Sequence, residues 1–194
     1  MADSLDPAAL EVDGRRLCLD FTATLSGRRS ESPVEHLTTP HDLSGWLRLT
    51  GVQADPSVAS SAQLGRARAL REAIRSLAEA TIAGHALDQE ALALVNRMAR
   101  GPRLVPQLRA DGLEWAAPAR AGVIDAGLGS IAADALELLG GPDRFLLKEC
   151  ASPSCGLLFV DRSRARRRRW CSMQACGNRA KTRDYRKRRK ERRR

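Results

Sequence analysis

The chain has 194 residues, of which 43% are hydrophobic and 4% aromatic, so it can form one ordinary domain with a small appendage but not two large domains. Its formal net charge of +10 is concentrated at one end: residues 144–194 hold 19 Lys and Arg against 4 Asp and Glu, whereas residues 1–143 hold 14 against 19. This asymmetry favours a polyanionic partner, usually nucleic acid and sometimes a membrane surface.

The middle of the chain carries the clearest periodic patterns. Apolar residues recur at helical spacing along 62–84, and Gly84 marks the end of that segment. The dipeptide Asp111-Gly112 between two short apolar stretches predicts a tight turn in a hairpin. Residues 1–14 have no clear pattern and form a lead-in. In chain order, the prediction is a strand at 15–25, a loop at 26–40, helices at 41–51, 62–84 and 89–99, a hairpin at 103–119 and a helix at 122–141.

These elements predict an α+β fold in which antiparallel strands pack with three or four helices. The composition changes at Pro142, where cysteines, turns and arginines replace the apolar periodicity. We therefore place a boundary between 140 and 146. The predicted parts are a regulatory or interaction domain (1–141), a four-cysteine finger made of a β-hairpin and a basic helix (144–185) and a basic tail (186–194).

Four cysteines in the second part predict a metal site. Thiolates in two close pairs are the ligands that structural Zn²⁺ takes in closed tetrahedral sites. We expect residues 157–161 and 167–170 to form a hairpin that returns the third cysteine to the side of the second. So short and polar a segment gains its folding free energy from the metal. The candidate ligands are Cys150, Cys155, Cys171 and Cys176, spaced Cys-x4-Cys-x15-Cys-x4-Cys.

Three other roles fit these cysteines less well. The chain has no apolar run of bilayer length and no signal peptide, which predicts a cytoplasmic, nucleoid-associated protein without a membrane partner. Thiols are mostly reduced in that compartment, which disfavours disulfides. A redox site would favour Cys-x-x-Cys in a βαβ unit, and buried filler cysteines would not cluster in the most polar segment. Cys18 stands apart in an apolar stretch and is predicted to be an ordinary buried residue.

Arginine dominates the segments on both sides of Cys171. Residues 161–170 contain six arginines, and residues 178–194 contain eleven basic residues that predict a cationic helix continuing into a tail, with Asn178 or Thr182 as its cap. Arginine binds phosphate, and reads guanine, through two parallel hydrogen bonds. A merely solvated charge run is the alternative, but like charges at this density repel each other unless a polyanion neutralises them.

The basic residues divide by their distance from the metal site. Those nearest to it are predicted to contact bases or grooves, and the tail 186–194 to neutralise phosphates. Trp170 either stacks on a base or, as is more common beside a zinc ligand, packs the small core. The candidate nucleic-acid contacts are Arg162, Arg164, Arg166, Arg167, Arg168, Arg169, Arg179, Lys181, Arg183 and Arg186.

The segment C-x4-C-x3-F-x-D-x-S-x4-R-R-W-C-S-M-x2-C-G-N-R-x-K resembles the CGNR zinc finger, which is named for the motif found here at 176–179. The stretches LCLDF near the start, DLSGWL at 42–47 and the helix at 64–74 are similar to the ABATE-type domain that accompanies this finger. The resemblance implies a stress-induced transcription regulator with one structural Zn²⁺ ion and a DNA-binding finger.

Three functions follow from these patterns. The first is a transcriptional regulator that binds double-stranded DNA, whose N-terminal domain senses a small molecule, forms a homodimer or contacts another protein. The second is an RNA-binding or ribosome-associated factor, because arginine-rich segments fold readily on RNA. An enzyme is disfavoured because the three histidines are scattered, without a nucleophile or acid partner nearby, and no glycine-rich phosphate loop is present. The sequence therefore predicts a DNA-binding regulator without catalytic activity.

Overall fold

A computed structural model describes residues 16–52, 57–118 and 120–192 of the chain. The lead-in predicted at 1–14 lies outside these residues. The helices are α1 (Leu17–Thr22), α2 (Pro40–Leu49), α3 (Ser61–Ala83), α4 (Gln89–Ala99), α5 (Val123–Gly140) and α6 (Asn178–Glu191). The strands pair antiparallel as β1 (Leu25–Ser26) with β2 (Val34–Glu35), β3 (Val105–Arg109) with β4 (Gly112–Ala116), and β5 (Leu147–Glu149) with β6 (Leu158–Val160). None of the described helices is long and apolar enough to cross a membrane.

The strand predicted at 15–25 is wrong, because this segment contains helix α1. Its residues 18–22 are all buried, so the alternation of apolar and polar letters does not mark a buried and an exposed face. The helix lies inside the molecule, in contact with α3 and α5. Asp134 of α5 fixes its start by accepting a hydrogen bond from the Cys18 N–H at 2.8 Å. Burial raises the pKa of the Cys18 thiol well above its ordinary value, and the residue is the core side chain that the sequence predicts.

The longer helices begin and end close to the predicted residues. Thr39 and Asp42 form a reciprocal capping box at the start of α2. Gly84 ends α3 with a φ of 68°, in the left-handed region that glycine favours. The predicted apolar stripe of α3 is buried except at its last turn, where Ile82 is 40% exposed. The loop predicted at 26–40 contains the short β1–β2 pair.

The hairpin predicted at 103–119 is confirmed as β3 and β4. Arg109 pairs with Gly112 across the turn, and Leu108 pairs with Leu113. Both leucine side chains point to solvent. The hairpin therefore follows from its turn signal and not from burial of an apolar face.

The predicted α+β class is confirmed, although the helices pack mainly on one another. One apolar core joins α1 to α5, and the Phe21 and Trp46 rings meet within it at 5.1 Å between centroids. Leu147, Leu158 and Val160 of the β5–β6 hairpin belong to the same core. The C-terminal hairpin is therefore seated on the helical domain, in contact with α1 and α3.

A close approach explains a glycine inside α5. A Cβ atom added to Gly129 would lie 2.1 Å from the carbonyl oxygen of Pro102, a separation that atoms cannot adopt. At Gly127 the nearest atom to an added Cβ would be Val52 Cγ1 at 3.1 Å, which is a much smaller conflict. Glycine at 129 thus lets α5 lie directly against the chain that leaves α4, at some cost in helix propensity.

We expect Gly129→Ala to lower the free energy of unfolding by about 2 kcal/mol, because the clash with backbone outweighs the helix propensity that alanine restores. Gly65→Ala in α3 is the matched control, since nothing lies within 4 Å of the added Cβ atom. It should raise the free energy of unfolding by about 0.5–1 kcal/mol. Urea unfolding followed by circular dichroism measures both variants, and equal effects would contradict the close approach at Gly129.

Candidate metal centre and cationic surface

The first cysteine pair lies in the turn of the β5–β6 hairpin. Strand β6 covers most of the strand predicted at 157–161, but its partner is β5, with Leu147 opposite Val160. The partner strand predicted at 167–170 is wrong: β6 pairs with β5, and the arginine segment is irregular because the Arg168 N–H donates to the Asp161 carboxylate and not to a strand. Gly156 turns the chain between the two cysteines and β6, with a φ of 72°.

The returning chain still reaches the first pair. The Ala151 N–H donates a hydrogen bond to the Arg169 carbonyl at 2.9 Å, which holds the irregular segment beside the hairpin turn. Cys171 follows directly and lies beside Cys155, as the sequence predicts. One backbone hydrogen bond, and not a paired strand, therefore holds this segment beside the hairpin turn.

The second cysteine pair lies at the start of α6. Cys171 precedes a π-helical turn, Met173–Gly177, which runs directly into α6. Ser172 caps this turn by accepting a hydrogen bond from a backbone N–H at 3.2 Å. The predicted caps, Asn178 and Thr182, therefore lie inside the helical segment.

The four thiol groups converge on one point. Their Sγ atoms all lie within 4.8 Å of one another. The Sγ–Sγ distance is 3.7 Å between Cys155 and Cys171 and 3.6 Å between Cys171 and Cys176. These separations exceed the roughly 2.05 Å of a disulfide. Sulfur ligands about 2.3 Å from a tetrahedral Zn²⁺ ion would stand about 3.8 Å apart, so the four residues fit one zinc ion.

The surroundings of the cluster suit a structural metal. Cys150, Cys155 and Cys176 are buried, and with Phe159 they form a small core separate from that of the helices. Four protein sulfur atoms complete a tetrahedral shell, which leaves no position for a substrate or a water molecule. The arrangement can therefore hold the chain in place but offers no open coordination position for chemistry.

The cluster already separates the acidities of its thiols. The hydrogen bond between the Cys155 and Cys171 sulfur atoms lowers the pKa of Cys155, whereas burial raises the pKa of Cys150. The Arg179 guanidinium donates a hydrogen bond to Cys176 Sγ at 3.0 Å, so a positive charge lies beside this sulfur. A divalent ion holds all its cysteine ligands as thiolates.

A buried carboxylate organises the arginine-rich loop, residues 162–169. Asp161 is fully buried and accepts hydrogen bonds from Lys148 Nζ at 2.6 Å, the Ser163 hydroxyl at 2.6 Å and the Arg168 N–H at 2.8 Å. The Lys148 ammonium, and then the Ser163 hydroxyl, hold the pKa of this carboxyl well below its usual range. Both ends of the loop are therefore fixed to one anionic group.

Arg168 is directed into the finger. Its Nε atom donates to the Trp170 carbonyl at 2.8 Å, its Nη2 atom donates to the Cys171 carbonyl, and its guanidinium carbon lies 4.8 Å from the Phe159 ring centre. Trp170 is half-buried and packs against the cysteine cluster, which agrees with the packing role that the sequence favours. The sequence offered no signal that separates Arg168 from its arginine neighbours.

The other arginines of the loop lie at the surface. Arg162 forms an ion pair with Asp143 at 2.5 Å, and Arg169 lies over the Trp170 ring. Three more are exposed and form no ion pair with any residue that the structure describes: Arg164, Arg166 and Arg167.

Helix α6 presents a cationic groove. The predicted contacts on this helix, Arg179, Lys181, Arg183 and Arg186, are all exposed. Residues three and four apart share one side of a helix. That side forms a groove of about 480 Å³ lined by Gln174, Ala175, Asn178, Arg179, Thr182, Arg183 and Arg186.

A buried arginine that the sequence pattern did not single out joins the finger to α3. Arg75 is 6% exposed and donates hydrogen bonds to the Gly156 carbonyl and the Glu149 carboxylate. Arg29 binds the same carboxylate. The sequence pattern places Arg75 on the polar face of its helix. It gives no sign that Arg75 pairs with Glu149 and Gly156, which are more than 70 residues away. The division of the chain at 140–146 stays a prediction.

We expect Cys171→Ser to lower the affinity for Zn²⁺ at least about 100-fold, because it removes one of four sulfur ligands. Competition with a chromophoric chelator measures this affinity. The matched control is Cys18→Ala, which changes a cysteine outside the cluster and should leave the affinity unaltered. The helical domain should keep its circular dichroism in both variants, and a Cys171→Ser protein with the original zinc affinity would contradict the four-sulfur site.

Comparison with known families agrees with this geometry. Residues 146–189 match the family described as "CGNR zinc finger", and residues 15–142 match the ABATE family, described as "Putative stress-induced transcription regulator". Neither is an enzyme family. No curated protein matches the chain. The chain therefore belongs to the ABATE family and carries a CGNR zinc finger behind its helical domain.

Proposed function

We propose that this chain is a transcriptional regulator that acts in the cytoplasm, at the nucleoid, by binding double-stranded DNA. Cys150, Cys155, Cys171 and Cys176 hold one structural Zn²⁺ ion, and the ion fixes α6 and the arginine-rich loop as the DNA-binding surface. The observation that carries the proposal is the row of exposed arginines along α6.

Several arginines of the helical domain are paired with carboxylates, whereas two on α6 have no such partner among the described residues. In the helical domain, the guanidinium groups of Arg28, Arg66 and Arg71 lie within 2.8 Å of a carboxylate oxygen. On α6, Arg183 and Arg186 form no ion pair with any residue in the described ranges. Unpaired like charges on one helix repel each other, and a polyanion relieves that repulsion. Phosphate is the partner that such a surface fits best.

The dimensions of α6 suit a DNA groove. Its 14 residues span about 21 Å, and the major groove of B-DNA, about 12 Å wide, admits one α-helix. Gln174, Asn178 and Thr182 lie among the arginines and can donate or accept hydrogen bonds. The mixed lining supports both phosphate contacts and contacts with base edges.

The roles within the surface are unequal. Arg183 and Arg186 line the groove and are proposed to contact DNA directly. Arg164 and Arg167 on the loop are proposed to reach the flanking phosphates, and the tail adds affinity without sequence discrimination. Arg168 acts indirectly in this scheme, because its guanidinium group is bonded within the finger.

We expect zinc-loaded protein to bind a fluorescein-labelled duplex pool. The logarithm of its binding constant should fall linearly with the logarithm of the NaCl concentration. The variant Arg183→Gln/Arg186→Gln should reduce that slope by about 1.8, since each lost phosphate contact removes about 0.9. Fluorescence anisotropy across a NaCl series gives both slopes. The matched control is Arg97→Gln/Arg100→Gln, a pair of exposed arginines at the end of α4, which should leave the slope unchanged.

Unlabelled competitors separate DNA from RNA as the partner. Duplex DNA should displace the labelled duplex at lower concentration than a structured RNA of equal length. Stronger displacement by RNA would assign the surface to the alternative, an RNA-binding or ribosome-associated factor. An unchanged salt slope in the Arg183→Gln/Arg186→Gln variant would remove α6 from the interface.

A further inference from the structure

We propose that a cavity between α1 and the zinc finger binds a small organic anion with an apolar body, and that its occupancy changes the affinity of the finger for DNA. The binding site stands on the cavity alone, whereas the regulatory effect rests on the DNA-binding function proposed above.

The cavity has the size of a small-molecule site. Its volume is about 720 Å³, within the roughly 300–1,000 Å³ of typical ligand pockets. Leu19 of α1 and Ala23, which follows that helix, form part of one wall, and Leu157 and Phe159 of the finger form part of the other. An apolar body of about the size of two fused aromatic rings would be enclosed between these walls.

The charges at the cavity favour an anion. Three arginines line it, Arg16, Arg162 and Arg168, against one acidic residue, Asp20, among its described lining residues. Arg162 is also paired with Asp143, and Arg168 donates to two backbone carbonyls, so part of this positive charge is already compensated. Arg16 is bound to Asp134 through Nη2, but its buried Nε–H has no hydrogen-bond partner among the described residues. A buried donor without an acceptor is unfavourable. This Nε atom has almost no accessible surface, so a ligand carboxylate could pair with it only if the Arg16 side chain turned toward the cavity.

The first turn of the helical segment adds to this preference. Met173 and Gln174 begin the π-helical turn that continues into α6, and both line the cavity. The start of a helix carries a partial positive charge from backbone N–H groups. An anion in the cavity would therefore lie near the end of the segment that carries the DNA-binding arginines.

The walls of the cavity explain how a ligand would affect DNA binding. One wall, α1, is fixed inside the helical domain, while the other contains Arg168 and Cys171, which position the loop and the start of α6. A ligand that contacts both walls stabilises one orientation of α6 relative to the helical domain. It shifts DNA affinity to the extent that it binds that orientation more tightly than others.

Isothermal titration calorimetry of the zinc-loaded full chain tests the site with two matched probes, 2-naphthoate and neutral 2-naphthamide, and with octanoate as a second anion. We expect one saturable site for at least one of the anions, and 2-naphthoate to bind at least tenfold more tightly than the amide. Ala23→Leu, which fills the cavity, and Arg162→Gln, which removes a lining charge, should each weaken anion binding about tenfold. Arg103→Gln removes an exposed arginine outside the cavity and should leave anion binding unchanged.

Absence of saturable binding by both anions would overturn the site. So would equal affinity for 2-naphthoate and its amide, or unchanged anion affinity in both Ala23→Leu and Arg162→Gln.

Anisotropy titrations of the labelled duplex, with and without the bound anion, test the regulatory effect. We expect the bound anion to change the dissociation constant for DNA at least threefold in wild type. In Ala23→Leu the change should be less than about 1.5-fold. An unchanged constant in wild type would overturn the regulatory effect while leaving the site in place. Anion binding by a protein that binds no duplex at all would overturn the proposed function and not the cavity.

Discussion

The convergence of four cysteine sulfur atoms is the constraint on which the C-terminal part of this chain depends. The finger has little apolar surface of its own: Phe159 is the only buried aromatic side chain beside the cysteines among the described residues. Four thiolates at these separations repel one another unless a cation lies between them. One metal ion therefore joins the turn of the β5–β6 hairpin to the start of α6, and fixes the direction in which the cationic helix leaves the molecule.

The finger is not an independent appendage of the helical domain. Apolar residues of β5 and β6 lie in the main core, and Arg75 bonds the finger to α3 from a buried position. Such a buried arginine is held in place by its partners, because an unpaired charge there would be costly. The helical domain therefore determines where the finger sits. The cavity beside α1 is also lined by Arg168, so a ligand bound there would contact a residue that positions the arginine-rich loop.

Local signals predicted much of the molecule. The apolar stripe and the glycine at its end located α3, the Asp111-Gly112 turn signal located the β3–β4 hairpin, and the spacing of the cysteines located the metal centre. The α1 segment resembles a strand in sequence because apolar and polar residues alternate along it. In the folded protein, however, every side chain from 18 to 22 is buried. Two further features depend on folded contacts that no periodicity marks: the pairing of β6 with β5, and the inward direction of Arg168, which bonds carbonyls two and three residues further along the chain. No short-range pattern distinguishes that arginine from Arg167, which points to solvent.

Zinc K-edge X-ray absorption of the purified, reduced protein tests the central claim most directly. The four-cysteine centre predicts one zinc per chain with a first shell of four sulfur atoms at about 2.3 Å. A first shell containing nitrogen or oxygen, or a folded finger without bound metal, would contradict it.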